Sequence, residues 1–171
     1  MVISIIREDS PQRRGERREE NFSLAVERPA REKLLNPFGA TGLTLDINRL
    51  SSKIIGAAIE VHKTIGPGLL ESAYQECLGH ELGLRGLSFE SEQPLPVNYK
   101  GKKLDCSYRL DMIVENSIIL ELKSCEKIEP IHKAQLLTYL KLSGLALGLL
   151  LNFNVPIMRD GIVRIVNNLE E

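Results

Sequence analysis

Two carboxylates and one ammonium stand out in this 171-residue chain by their spacing. Asp111 falls inside an alternating run from Leu104 to Glu115. Glu121 and Lys123 fall inside a second run, from Ile118 to Lys123. Alternation of apolar and polar residues marks half-buried strands. In a hairpin closed by Glu115-Asn116-Ser117, Leu110 meets Leu122, Met112 meets Leu120 and Val114 meets Ile118 on one face. The opposite face pairs Asp111 with Glu121 and Arg109 with Lys123. A slip of one residue would set Asp111 against a leucine and scramble both faces, so the pattern selects this register. Directly opposed side chains have Cβ atoms about 4.5–5.5 Å apart. Carboxylates that close repel, and a shared proton or a hard cation relieves them. An oxygen-ligated divalent ion there, Mg2+ or Mn2+, would polarise a phosphate oxygen and lower the pKa of a bound water. Lys123 would orient that water or neutralise developing charge. The plainer alternative is a set of solvated charges on an ordinary hairpin.

The flanking elements are legible too. Leu50, Ile54, Ala57, Ala58, Val61 and Ile65 recur at helical spacing, which predicts a helix over 47–64 ended by Gly66-Pro67-Gly68. A second helix is expected over 70–84, with Tyr74, Cys77, Leu78, His80 and Leu82 as candidates for inner positions. Residues 89–99 read as a strand that Pro94 and Pro96 confine to an edge or a bulge. Pro130 opens a third helix, 131–143, that Gly144 closes. The apolar run 146–153 suits a strand buried on both faces, and 162–166 a last strand after an Arg159-Asp160-Gly161 turn. The order is ααβββαββ.

Residues 1–44 carry the mixed charge run PQRRGERREE and no apolar periodicity. They read as a flexible or loosely packed extension before a domain over 45–171. Alternatives are a nucleic-acid-binding arm through Arg13, Arg14, Arg17 and Arg18, or a start codon placed too far upstream. Net charge is −1, and residues 100–141 hold 8 basic against 6 acidic side chains, so tight phosphate-driven duplex binding is not expected. No apolar run reaches the roughly 18 residues of a membrane span. Three cysteines without a CxxC pair argue for reduced thiols. A cytoplasmic protein with no membrane partner is expected.

Asp111 together with Glu121-Leu122-Lys123 resembles the signature of the PD-(D/E)XK nuclease superfamily, with Leu110 where the signature has proline. Gln135-Leu136-Leu137-Thr138-Tyr139 resembles the QxxxY motif of its RecB-type branch. Gly68-Leu69-Leu70-Glu71-Ser72-Ala73-Tyr74 is similar to the motif that names the GxxExxY family of small prokaryotic proteins. The resemblance covers about residues 47–168. It implies an α/β fold with an αβββαβ core, a central mixed sheet flanked by helices, and here an extra N-terminal helix.

The resemblance also implies site roles. Glu71, Asp111, Glu121 and Lys123 match catalytic positions. Asp111, Glu121, the Leu122 backbone carbonyl and Glu71 match metal ligands, with His62 a further candidate that is more often a satisfied buried histidine. Gln135 and Tyr139 match nucleic-acid-contacting or site-ordering positions. Tyr74 would hold Glu71 by a hydrogen bond or simply pack. The expected activity is Mg2+- or Mn2+-dependent hydrolysis of nucleic-acid phosphodiester bonds, DNA before RNA. The alternatives are a non-cleaving nucleic-acid-binding accessory module of the same fold, and a structural protein whose polar cluster orders the sheet. A homodimer would enlarge the small surface offered to a duplex.

Deleting residues 1–44 should leave the melting temperature nearly unchanged. A loss above about 2 kcal/mol in chemical denaturation, the scale of a core defect, would show that the extension packs on the domain.

Overall fold

A computed structural model describes residues 46–167. The expectation for the extension 1–44 lies outside these residues. The described elements are helix α1 (Ile47–Ile65), helix α2 (Glu71–Leu84), strands β1 (Phe89–Tyr99), β2 (Lys102–Val114) and β3 (Ile118–Lys123), helix α3 (Pro130–Ser143), strand β4 (Leu147–Asn152), a 3-10 turn (Met158–Gly161) and strand β5 (Ile162–Val166). The order is the expected one. The 3-10 turn replaces the simple turn expected at 159–161. No described helix is long and apolar enough to cross a membrane.

The strands form one mixed sheet in sequence order, β1-β2-β3-β4-β5. Only β3 and β4 are parallel, as a crossover through α3 requires. β1 is an edge strand with a register shift between Pro96 and Asn98, which suits a segment that lacks two backbone donors. β4 is buried along its whole length, as its unbroken apolar sequence demands.

Two apolar layers sandwich the sheet. On one face α1 and α2 bring Leu50, Ile54, Val61, Tyr74, Leu78 and Leu82 against Met112, Val114, Leu120 and Leu122. On the other face α3 brings Leu136, Tyr139 and Leu140 against Leu95, Leu110, Ile119 and Leu150. His80, expected inside, is exposed. The buried positions 74, 78 and 82 repeat every four residues and set the inner line of α2, and residue 80 falls on its opposite side.

The helix ends are well specified. The Asp46 carboxylate accepts the Asn48 N–H at 2.9 Å to cap α1. Glu129 and His132 cap α3 reciprocally, Pro130 occupies its first turn, and Gly144 closes it with φ 74°. The contact of α3 with β4 depends on Gly148. A Cβ there would stand 2.8 Å from Leu136 Cδ1 and 3.0 Å from its Cγ. Gly148→Ala should therefore cost about 1–3 kcal/mol by overpacking, measured by urea denaturation. An unchanged unfolding midpoint would mean that α3 shifts freely on the sheet.

Candidate active site

The site is a fork between β2 and β3. Their ladder runs through Val114–Ile118, Ile113–Ile119 and Met112–Leu120, the expected register, and then stops. The next inward donor, the Leu122 N–H, turns instead to the Asp111 carboxylate, Oδ2 at 2.8 Å. The expected Asp111–Glu121 and Arg109–Lys123 pairs are therefore absent from the ladder, and Arg109 forms an ion pair with Glu92 of β1.

The break in β2 has a partner in β1. Glu92, between the paired residues Ser91 and Gln93, is left out of the register and has φ 56°, a left-handed conformation uncommon for a residue with a side chain. Gln75 of α2 bridges the irregularity. Its Nε2 donates to Glu92 Oε1 and to the Asp111 carbonyl, each at 3.2 Å. Face alternation fails across the break. Met112 and Val114 join the α1/α2 layer, whereas Leu110 joins the α3 layer, so Leu110 does not meet Leu122 on one face as expected.

Glu121 is 2% exposed. Its Oε1 accepts from Lys123 Nζ at 2.7 Å, while its Oε2 is buried with no hydrogen-bond partner. Glu71 arrives as the first residue of α2, and its Oε1 accepts the Ser124 N–H at 3.0 Å. Ser124 Oγ in turn donates to the Leu69 carbonyl at 2.7 Å. Tyr74 is fully buried and stacks on Phe153 with ring centroids 4.4 Å apart. Its hydroxyl donates to the Gly66 carbonyl at 2.8 Å and accepts the Leu69 N–H at 3.1 Å. Tyr74 thus orders the loop that delivers Glu71, through backbone rather than through the Glu71 carboxylate.

On the α3 side, Gln135 Nε2 donates to the Tyr139 hydroxyl at 2.6 Å. His62 is buried, and its Nε2 lies 2.8 Å from the Val155 carbonyl, in the segment after β4; it has no hydrogen bond to the acids among the described residues. Four contributors carry no signal in the sequence: Gln75, Glu92, Ser124 and Asn152. Asn152 ties down the end of the site strand, accepting the Cys125 N–H at 3.1 Å and donating to the Cys125 carbonyl at 2.8 Å. Glu92 escapes notice because Pro94 and Pro96 spoil the periodicity of β1.

The electrostatics follow from three acids around one ammonium. Burial is the main force raising the Asp111 pKa, and the charges of Glu71 and Glu92 add to it, against the Leu122 hydrogen bond and Lys123. Burial followed by the Asp111 charge raises Glu121, despite its bond to Lys123. Burial pulls the Lys123 pKa down, but its bond to Glu121 and the surrounding acids carry it above the ordinary lysine value. Burial raises the Tyr139 pKa, and the charges of Glu121 and Asp111 push the same way. Tyr139 packs in the α3 layer with Ile119, whose face of β3 Glu121 shares, and it stays a neutral hydrogen-bond donor at neutral pH.

One ammonium leaves this cluster with excess negative charge and an orphaned buried oxygen, a donor set that suits a hard cation. With the side chains as they stand, no three His, Cys, Asp or Glu residues converge on one point among the described residues. A third ligand must come from the backbone or water, or from movement of Lys123 off Glu121.

A five-stranded mixed sheet between helices, with the buried Glu121, the half-buried Asp111 and a lysine at a fork of its central strands, defines a nuclease-like α/β core. A sequence model of the PD-(D/E)XK nuclease superfamily matches residues 48–165, and the chain belongs to that superfamily. Its members typically use divalent metals and act on nucleic acid. No curated protein and no solved structure matches the chain.

The raised carboxyl pKa values give a pH prediction for the metal-free protein. The fold binds protons at Asp111 and Glu121 more tightly than the unfolded chain does. Their contribution is thus most favourable in acid and is lost as pH rises through the window from the ordinary carboxylate range to the raised values. Lys123 titrates above this window and adds a constant term across it. Melting curves in chelator from about pH 4 to about pH 8 should show Glu121→Gln gaining on the wild type as pH rises. A gap that is constant, or that moves the other way, would contradict the burial argument.

Proposed function

We propose that this chain is a divalent-metal-dependent nuclease of the GxxExxY, RecB-type branch that hydrolyses phosphodiester bonds, DNA before RNA. The buried, unpartnered Glu121 Oε2 carries the reading. It stands beside Asp111 and Lys123 in a superfamily whose members are nucleases. In this reading Asp111, Glu121, the Leu122 carbonyl and Glu71 hold Mg2+ or Mn2+, Glu71 through its carboxylate at the start of α2. His62 enters the set only by giving up its bond to Val155. A bound divalent ion supplies Lewis acidity at the phosphate and a more acidic water.

The protein's own groups do the rest. Lys123 gives up Glu121 Oε1 when that carboxylate is engaged, and its ammonium turns to the charge that develops on the phosphate. Tyr139, oriented by Gln135 and kept neutral by burial, donates a hydrogen bond toward a phosphate oxygen. Water attacks phosphorus and loses a proton to solvent, the bond to the leaving sugar oxygen breaks, and that oxygen takes up a proton from solvent.

The test is a cleavage screen over single- and double-stranded DNA and RNA with magnesium, manganese and chelator, run with Lys123→Ala beside the wild type. The variant should keep the rise in melting temperature that magnesium produces, since no ligand is lost. Its cleavage rate should fall by about 100-fold or more, the roughly 3–4 kcal/mol that one preorganised electrostatic group supplies. Equal rates would remove Lys123 from the chemistry. Binding without cleavage by the wild type would favour the accessory module.

A further inference from the structure

Tyr108 has no evident use within the fold. It lies on β2, three residues before Asp111, and is 44% exposed. Its hydroxyl has no hydrogen-bond partner among the described residues. Its ring rests at 5.3 Å and 53° against Tyr139, which is 3% exposed and pinned by Gln135. One side of the ring is thus braced by a side chain that packs on the face of β3 shared by Ile119 and Glu121, and the other remains partly open to solvent. An ordered aromatic so placed offers a flat apolar face at little entropic cost.

The charge pattern points to what meets that face. Binding a duplex tightly takes several free Lys and Arg contacts to phosphate. Here two cations of β2 and β3 are engaged, Lys123 by Glu121 and Arg109 by Glu92, and the net charge of the chain is −1. With a weak phosphate contribution, one stacked base matters. Stacking is worth about 5- to 150-fold in affinity per base, about 1–3 kcal/mol. Bases inside a duplex are already stacked on their neighbours and have no free face for a protein ring.

We propose that Tyr108 is a stacking platform for an unpaired nucleobase next to the phosphodiester held at Asp111 and Glu121. The substrate is accordingly single-stranded nucleic acid or an unpaired strand end. The proposal rests on the nuclease reading and names the substrate class for that site.

The chain contains no tryptophan, so Tyr108→Trp in the full-length protein introduces a single reporter at the platform. In chelator, single-stranded oligo-dT and oligo-U should quench its fluorescence saturably, and an equally long blunt duplex should not. The two oligonucleotides distinguish DNA from RNA as the source of the base. Tyr108→Ala should weaken single-strand binding about tenfold, within the range above, without altering its salt dependence, because no phosphate contact is lost. Tyr108→Phe should bind like wild type. With metal and substrate, Tyr108→Ala should raise KM and leave kcat nearly unchanged. Tyr108→Leu keeps apolar bulk against Tyr139 and should bind as weakly as the alanine variant. If leucine restores affinity, Tyr108 merely braces Tyr139 and the proposal is wrong. If Tyr108→Ala binds and cleaves as the wild type does, the proposal fails while the nuclease reading stands. If duplex binds as tightly as single strand, the substrate class is wrong. If the wild type neither binds nor cleaves any nucleic acid, both readings fall.

Discussion

Everything at this site depends on one hydrogen bond, from the Leu122 N–H to the Asp111 carboxylate. A buried backbone donor without a partner costs about 1–3 kcal/mol. In a regular hairpin β2 backbone would satisfy it. Here a side chain does, so the two strands can part after Met112 and Leu120 without leaving Leu122 unsatisfied. The same bond anchors Asp111 at the mouth of the opening. The left-handed backbone at Glu92 and the bridging Gln75 support the break from β1 and α2. Local conformations of this kind persist only where their surroundings hold them in place.

The site draws its side chains from both faces of the sheet. Glu71 enters from the α1/α2 layer, anchored to Ser124 and to a loop that Tyr74 holds from below. Gln135 and Tyr139 enter from the α3 layer. Glu121 and Lys123 lie on the strand between them. The result is a concentration of carboxylates that one lysine does not neutralise and whose pKa values burial raises. Such an arrangement opposes folding, and it is retained where a ligand of opposite charge completes it.

Much of this was legible from residue types and spacing. The α1 stripe, the glycine ends at Gly66 and Gly144, the apolar β4 run and the three central ladder pairs all follow from periodicity and turn chemistry. The residues of the cluster were legible as well, but not how they are held. Period-two reasoning assumes an unbroken ladder and therefore put Asp111 directly opposite Glu121 and Leu110 beside Leu122. A non-glycine residue at positive φ gives no sequence signal, and Glu92 is one. Side chains that bind backbone across long separations, such as Asn152 to Cys125, leave no periodic trace. His80 reads as an inner position yet lies outside, because α2 has only a narrow buried line, where a single position decides the face.

The central claim is that the fork and its orphaned carboxylate oxygen form a divalent-cation site. The most direct measurement follows the amide resonances of Leu122 and Ser124 during a magnesium titration, because these two N–H groups are bonded to Asp111 and Glu71. The account predicts saturable shifts at both, absent from the Ser88 amide, which is bonded to Glu115, and abolished by Glu121→Gln. Shifts that persist in Glu121→Gln, or amides that ignore magnesium in the wild type, would contradict it.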